Sequence, residues 1–466
     1  MKRIKLIIIV GLLVTGACSD YLEEESQDEV IVRTVTDFSE LLLGSGYPKS
    51  YSYMASELYL LDDDVEINES VFRGETENTS IVKRFGHFTW QPDMWERTSL
   101  LTETYSKMYA YLMGINATLD YIDDAIGDAE ERDQVKAEAL GLRGYLYYML
   151  VNLYGEPYNY NKKALGVPLK LVSDLKENGL KRNTVEEVYN QIVTDLRASS
   201  ELFEKYPKRR GNYRINGPAV NILLSRVYLY MEQWDSAIVR SDRAIAYAEG
   251  LTDYTKITDD FAYLSYGNQE VEWLYGAGRA NYAATIQNEC RPSTDLISKF
   301  HERDVRLEMW FAADKIGIYK KNQIGPGPVN TIRISEAYLN RAEAYIQKGE
   351  HEKALADLNE LRRHRIRGYQ GVNISNQALL LDEVRLERRL ELCFDEQRWF
   401  DLRRYGMPSI SHLYKSRKSD PWLKYTLTEK DPLYTIPLPR TVFVRNGKLE
   451  QNASALEPIR QGYRVN

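Results

Sequence analysis

Apolar residues recur at intervals of three and four along several long stretches of the chain, which is the spacing of amphipathic helices. The pattern predicts helices over residues 105–125, 130–154, 185–203 and 379–406, and Thr184 is placed to cap the third of them. Long helices therefore dominate the expected structure.

Residues 379–406 carry both an apolar face and a charged face. Leu386, Leu390, Cys393 and Phe394 share the apolar face, and Gly406 with the following proline ends the predicted helix. Acidic residues follow one another every four positions on a second row, where like charges repel by ~0.2–0.5 kcal/mol per pair. Arginines on this segment and on neighbouring elements must therefore neutralise the row. The acidic row is Glu383, Glu387, Glu391 and Asp395.

Small residues and tyrosines repeat within two helix pairs, at the relative positions typical of tetratricopeptide-like repeats. The two matching segments lie within 184–246 and 334–364, and a further predicted pair member covers 130–155. Such pairs cannot bury their apolar faces alone, so we expect them to meet in space. The predicted fold class is all-α, a helical-repeat scaffold interrupted by a loop-rich insertion at 247–333.

Aromatic residues are concentrated in two weakly periodic regions, residues 65–100 and the insertion. A flat apolar ring beside polar groups suits the C–H face of a sugar, and tryptophans outside regular helices are the better candidates for such a platform. Packing in the core is the alternative for each. The candidate ligand-binding residues are Trp90, Trp95, Trp273 and Tyr275, with Trp310 behind them.

The overall charge argues against nucleic acid as a partner. The 466 residues carry a formal charge of −7, and removing residues 1–17 makes it −10 because three basic residues and no acidic ones are lost. Tyrosine supplies 35 of the 53 aromatic residues. Tyrosine suits half-wet surfaces and sugar recognition, and it equally suits the seams between packed helices.

The N-terminal residues have the features of an export signal. A basic start, a nine-residue apolar run and a small-residue zone make up residues 1–17, and the run is too short to span a bilayer. Cys18 then stands where a bacterial lipoprotein is acylated, although Thr15 occupies the position usually held by leucine. Ordinary cleavage after Ala17 is the alternative. Residues 18–30 are expected to form an acidic tether or a solvated linker.

Motifs for covalent, zinc or nucleotide chemistry are missing from the sequence, which predicts neither a catalytic set nor a cofactor. Two carboxylates suffice for glycoside hydrolysis, but 68 acidic residues give no positional signal for a pair. The run Asp62 to Asp64 contains hard oxygen ligands for Ca²⁺ without the spacing of a calcium loop, so a solvated or helix-capping role is the alternative. Cys290 and Cys393 are expected to be inert thiols rather than a disulfide.

Three passages resemble the SusD/RagB family of surface lipoproteins from Bacteroidetes. Residues 387–406, ERRLELCFDEQRWFDLRRYG, resemble the family's C-terminal signature, and residues 331–343, TIRISEAYLNRAE, resemble its I-R-x-x-E-x-x-L-x-x-A-E passage. A looser match covers Ala139 to Pro157. The resemblance implies a single SusD-like helical domain over residues 31–466.

The resemblance also implies a function. Proteins of this family capture oligosaccharides at the outer membrane and pass them to a SusC-like TonB-dependent transporter, and RagB-like members serve peptide uptake instead. The family's sugar contacts come mainly from loops in the N-terminal third and from the central insertion. We therefore expect a lipid-anchored, non-enzymatic glycan-binding protein that faces the cell exterior. Peptide uptake is the alternative, and glycoside hydrolysis is less favoured.

Overall fold

A computed structural model gives the structure of this chain, and it describes residues 32–48, 56–96, 103–174, 179–207, 213–257, 268–275, 289–311, 323–324, 327–328 and 330–465. The predicted signal peptide, Cys18 and the acidic tether lie outside these ranges, as do parts of the insertion.

Helices dominate the described chain, as the sequence predicts. None of its helices is long and apolar enough to cross a membrane. The helices are α1 (Val35–Leu41), α2 (Thr79–Phe88), α3 (Glu103–Tyr121), α4 (Ala129–Tyr154), α5 (Tyr158–Asn161), α6 (Val185–Lys205), α7 (Gly217–Tyr230), α8 (Trp234–Tyr247), α9 (Thr294–Lys299), α10 (Arg306–Trp310), α11 (Ile334–Gln347), α12 (His351–Arg363), α13 (Gln377–Leu392), α14 (Arg398–Arg404) and α15 (Arg440–Arg445).

Strands are short and lie in separate small sheets. In the described ranges β1 pairs with β3, β2 with β6, β4 with β5, and β7, β8 and β9 form a three-stranded sheet. Both Cys290 and Cys393 are buried and free of disulfides. The strands are β1 (Val65–Ile67), β2 (Val271–Tyr275), β3 (Cys290–Pro292), β4 (Gln323–Ile324), β5 (Gly327–Pro328), β6 (Asn330–Arg333), β7 (Ile410–Tyr414), β8 (Leu423–Leu427) and β9 (Tyr463–Arg464).

The helix pairs pack on one another in the way that the repeat pattern requires. α4 packs against α6, α7 against α8, and α11 against α12. α8 also packs against α11, although the insertion separates these two helices in the sequence. α7 also packs against α11, where the small residues Ser225 and Ala342 are fully buried and Asn340 donates a hydrogen bond to the Ser225 hydroxyl at 2.7 Å. Thr184 forms the predicted cap of α6 together with Glu187.

The prediction of a single helix over 379–406 is wrong, because the structure has two helices there, α13 and α14. Phe394 and Glu396, between the two helices, both have φ of 62°, outside helical geometry. The Arg333 guanidinium donates to the backbone carbonyl of Glu391 at 2.8 Å and so takes an acceptor from the last turn of α13. A charged partner from another element thus caps the end of α13.

The acidic row of α13 is neutralised by arginines from other elements, as expected. Arg306 donates to Glu387 at 2.7 Å and to Glu391 at 2.8 Å. Arg333 and Arg365 approach Glu391 at 2.6 and 3.0 Å. Burial alone would raise the pKa of Glu391, but these arginines hold it well below its usual range. α13 is therefore fixed at the centre of the molecule by buried charge pairs.

Candidate functional site

The N-terminal third and the insertion meet where β1 pairs with β3. The strands are antiparallel, with Glu66 opposite Arg291 and Ile67 opposite Cys290. The backbone amide of Asn68 extends the pairing by donating to the carbonyl of Glu289 at 2.9 Å. Two regions more than 200 residues apart in sequence therefore form one surface.

Half-exposed polar groups line this strand pair. The Glu66 carboxylate accepts from Arg291 at 2.6 Å, and both side chains are 32% exposed. The same carboxylate accepts from the backbone amide and the hydroxyl of Thr294, at 3.1 and 3.0 Å. These contacts hold a carboxylate and a guanidinium in fixed positions at the surface, where both can exchange hydrogen bonds with a hydroxylated ligand.

An aromatic and cationic cluster lies beside the strand pair. β7 packs next to β1, and Lys415 directly follows β7. The Lys415 ammonium is 4.4 Å from the ring centre of the half-buried Trp422 and 5.2 Å from that of Phe72. It also donates to Glu69 at 2.6 Å, and this hydrogen bond lowers the pKa of that exposed carboxyl. We call β1, β3, Glu69, Phe72, Lys415 and Trp422 together the insertion face.

Two of the predicted ligand-binding tryptophans lie before α3, and the structure buries both. Trp90 is fully buried, donates its indole N–H to the carbonyl of Leu61 at 2.9 Å and stacks on His412. Trp95 is 6% exposed and donates to the carbonyl of Pro437 at 2.6 Å. Trp95 also lines a cavity of about 200 Å³, so it keeps an edge near solvent.

The three predicted aromatics of the insertion are core residues as well. Trp273 and Tyr275 stack on each other with ring centres 4.4 Å apart, and Tyr145 of α4 meets both rings edge-on. Trp310 is fully buried, with the Arg306 guanidinium 5.7 Å from its ring. β2 and α10 pack against the helices, and this packing covers the three rings. The sequence suggested an exposed platform instead. In the described structure none of the five offers an open ring face.

The aspartate run at 62–64 is engaged by arginines. The three carboxylates lie within 4.8 Å of one another. Asp63 accepts two hydrogen bonds from Arg398, at 2.7 and 2.8 Å, and Asp64 accepts one from Arg389 at 2.7 Å. Burial, followed by the neighbouring carboxylates, raises the pKa of Asp62 well above its usual range. Guanidinium groups thus supply positive charge that a Ca²⁺ ion would bring, which favours a structural role for this run.

Local sequence patterns do not identify the residues of the insertion face. Glu66 and Arg291 are 225 positions apart, and Glu69 and Lys415 are 346 apart. Helical periodicity relates only near neighbours, so it carries no information on these pairs. Trp422 was likewise not among the aromatic candidates.

The profile described as "SusD family" matches residues 173–454, which is more than half of the chain. The chain belongs to the SusD family. A second SusD-like profile, described as "Starch-binding associating with outer membrane", matches residues 20–229.

Relatives of this SusD family member are distant in sequence and similar in fold. SusD-like protein P2 of Formosa agariphila is 23% identical over 97% of this chain and 99% of that protein, while P25 of the same organism is 22% identical over 51% of this chain and 45% of P25. A putative sugar binding protein from Bacteroides vulgatus has a TM-score of 0.72 at 23% identity, covering 91% of this chain and 99% of the other. A laminarin binding SusD-like protein has a TM-score of 0.64 at 18% identity, covering 90% and 99%.

Proposed function

We propose that this protein is a cell-surface lipoprotein that captures oligosaccharides and delivers them to a SusC-like TonB-dependent transporter. The observation that carries the proposal is the insertion face, where β1 and β3 bring Trp422 together with fixed charged groups. Family membership and the shared fold with a laminarin binding protein support the ligand class.

Sugar capture needs an apolar face and several hydrogen-bonding groups around it. Trp422 offers the apolar surface, and the exposed Glu69 offers an acceptor beside it. The Lys415 side chain is only 6% exposed and holds Glu69 and Trp422 together. Glu66 and Arg291 add a second pair along the strand ladder. Because these groups hold one another by ion pairs, they are ordered before a ligand arrives, which lowers the entropy cost of binding.

The charges of the insertion face favour binding over hydrolysis. A glycosidase needs one carboxylic acid with a raised pKa to protonate the leaving group. Lys415 instead lowers the pKa of Glu69. Glu69 therefore does not suit the role of a general acid, and we propose a non-enzymatic role for this surface.

A glycan array followed by isothermal titration tests the proposal. We expect at least one oligosaccharide to bind, and Trp422→Ala to weaken it about tenfold because the ring face is lost. Tyr247→Ala is the matched control, since this ring at the end of α8 is 56% exposed and lies outside the insertion face. The melting temperature of each variant checks folding. Binding of oligopeptides without any glycan would overturn the proposal in favour of peptide uptake.

A further inference from the structure

A second cavity lies between the short helix α5 and the C-terminal part of the chain, on elements that take no part in the insertion face. Its volume is about 370 Å³, within the ~300–1,000 Å³ usual for small-molecule sites. Glu156, Tyr160 and Asn161 line one side, and Lys430 and Ser454 belong to the other. We call it the α5 cavity.

The walls of the α5 cavity are held by side-chain hydrogen bonds to backbone. The Asn452 amide donates to the carbonyls of Tyr154 and Ile436, at 2.9 and 2.7 Å, and its oxygen accepts from Arg182 at 2.8 Å. Gln451 bonds both the amide and the carbonyl of Leu438 at 2.8 Å. These lining residues are therefore scaffold, and they fix the shape of the cavity.

Other lining groups have unused capacity for a ligand. The Tyr160 side chain is 55% exposed, and its ring stacks on no other ring within the described ranges. Glu156 is half-buried and forms no ion pair with a described residue. Ser454 is 2% exposed, and its hydroxyl has no hydrogen-bond partner in the part of the chain that the structure describes. An uncommitted buried hydroxyl and a half-buried carboxylate both favour a ligand rich in hydroxyl groups.

Charge narrows the class of ligand. Asp431, the second acidic lining group, is compensated by Arg460 at 2.8 Å, and Lys430 has Glu429 as a partner at 3.5 Å. The Glu156 carboxylate interacts electrostatically with the buried Arg403 guanidinium. The charges around the cavity are therefore balanced, and a ligand that brought a further charge would leave it uncompensated.

We infer that the α5 cavity is a second carbohydrate site, which takes the end unit of a neutral sugar and rejects uronic acids. Tyr160 supplies the ring face, and Glu156 accepts hydrogen bonds from the sugar. This inference rests on the proposed carbohydrate function and adds a site distinct from the insertion face.

Titration with two disaccharides, cellobiose and digalacturonate, tests the inference. Cellobiose is expected to bind the wild-type protein, and digalacturonate is expected to bind at least about tenfold more weakly. Tyr160→Ala should weaken the affinity for cellobiose about tenfold, while Tyr247→Ala should change this affinity less than about twofold. Glu156→Gln, which keeps the shape, should reduce the discrimination against digalacturonate.

The variants separate this inference from the proposed function. Oligosaccharide binding that Trp422→Ala weakens, together with cellobiose binding that Tyr160→Ala and Glu156→Gln leave unchanged, would overturn the second site and leave the proposed function standing. Tighter binding of digalacturonate than of cellobiose would overturn the charge argument. Absence of binding to every carbohydrate would overturn both.

Discussion

Glu396 is a buried acid between α13 and α14 that lacks a full set of partners. Glu396 is 4% exposed, and its Oε2 atom has no hydrogen-bond partner among the described residues. Burial raises its pKa to about 8; a hydrogen bond from Asn330 opposes this rise and the charge of Asp395 adds to it. The carboxyl is thus protonated in the folded protein at neutral pH.

This raised pKa makes stability depend on pH with a defined sign. The folded state binds a proton more tightly than the unfolded state, whose glutamate has an ordinary value of 4.5. The stabilisation is complete below about pH 4.5 and is lost as pH rises through about 8. We expect the free energy of unfolding, measured with urea, to fall less for Glu396→Gln than for the wild type when the pH is raised from 5 to 8.5. Glu308→Gln, whose side chain is 62% exposed, should follow the wild-type slope; parallel slopes for all three proteins would contradict the assignment.

At the level of elements, buried charge pairs connect helices that are far apart in sequence. Arg333 at the end of β6 reaches both Glu391 of α13 and Asp395 beyond it, each at 2.6 Å. All three side chains are at most 3% exposed. Removing one member leaves charge buried without its partner, which is far more costly than losing a surface pair.

Arg333→Met should therefore lower the free energy of unfolding by about 3–5 kcal/mol, because it removes a buried guanidinium that contacts Asp395 and one of three that contact Glu391. Arg363→Met on α12 is the control, since its pair with Glu360 is exposed and should contribute only about 0–1 kcal/mol. Chemical denaturation of both variants measures the difference. Equal losses would show that the buried pairs do not fix α13.

α3 approaches the backbone of Ser45 closely at Gly114, and this contact gives a second prediction at the level of elements. A Cβ at Gly114 of α3 would lie 2.6 Å from the carbonyl oxygen of Ser45, whereas a Cβ at Gly447 meets nothing within 4 Å. Gly114→Ala should destabilise the protein by about 1–3 kcal/mol, because the clash with backbone outweighs the better helix propensity of alanine. Gly447→Ala should change stability little. Thermal unfolding tests the pair, and an unaffected Gly114→Ala would show that α3 can shift away.

Local periodicity was enough to predict most helices and insufficient to predict where α13 ends. The predicted 130–154 and 185–203 agree with α4 and α6 within two residues at each end, because their apolar faces and the Thr184 cap are local features. At the break after α13 the helix end is capped by Arg333, which lies 58 positions before Glu391. Contacts of that range decide the ends of elements and leave no trace in a sequence window.

At the scale of the whole molecule, the family and the fold class were predictable and the ligand surface was not. The signature at 387–406 and the repeat spacing led to the SusD family, which the profile match confirms. The five aromatic candidates were chosen for lying outside regular helices, yet packing of β2 and α10 buries the rings of the insertion. The insertion face arises only when distant segments pair, so its residues cannot be found from local pattern.

Attachment to the membrane is a prediction about the mature protein and concerns Cys18. We expect radiolabelled palmitate to be incorporated into the protein in its native host, and Cys18→Ser to abolish the label and release the protein from the membrane fraction. Cys290→Ser is the matched control, because this buried thiol should not be acylated. Label retained in Cys18→Ser, or a soluble wild-type protein, would contradict the lipid anchor.

A crystal structure with a bound oligosaccharide from the array tests the central claim most directly. The account predicts sugar density against the ring of Trp422, with hydroxyl groups bonded to Glu69 or the Glu66–Arg291 pair. An oligosaccharide bound elsewhere, with the insertion face bare at saturating concentration, would contradict it.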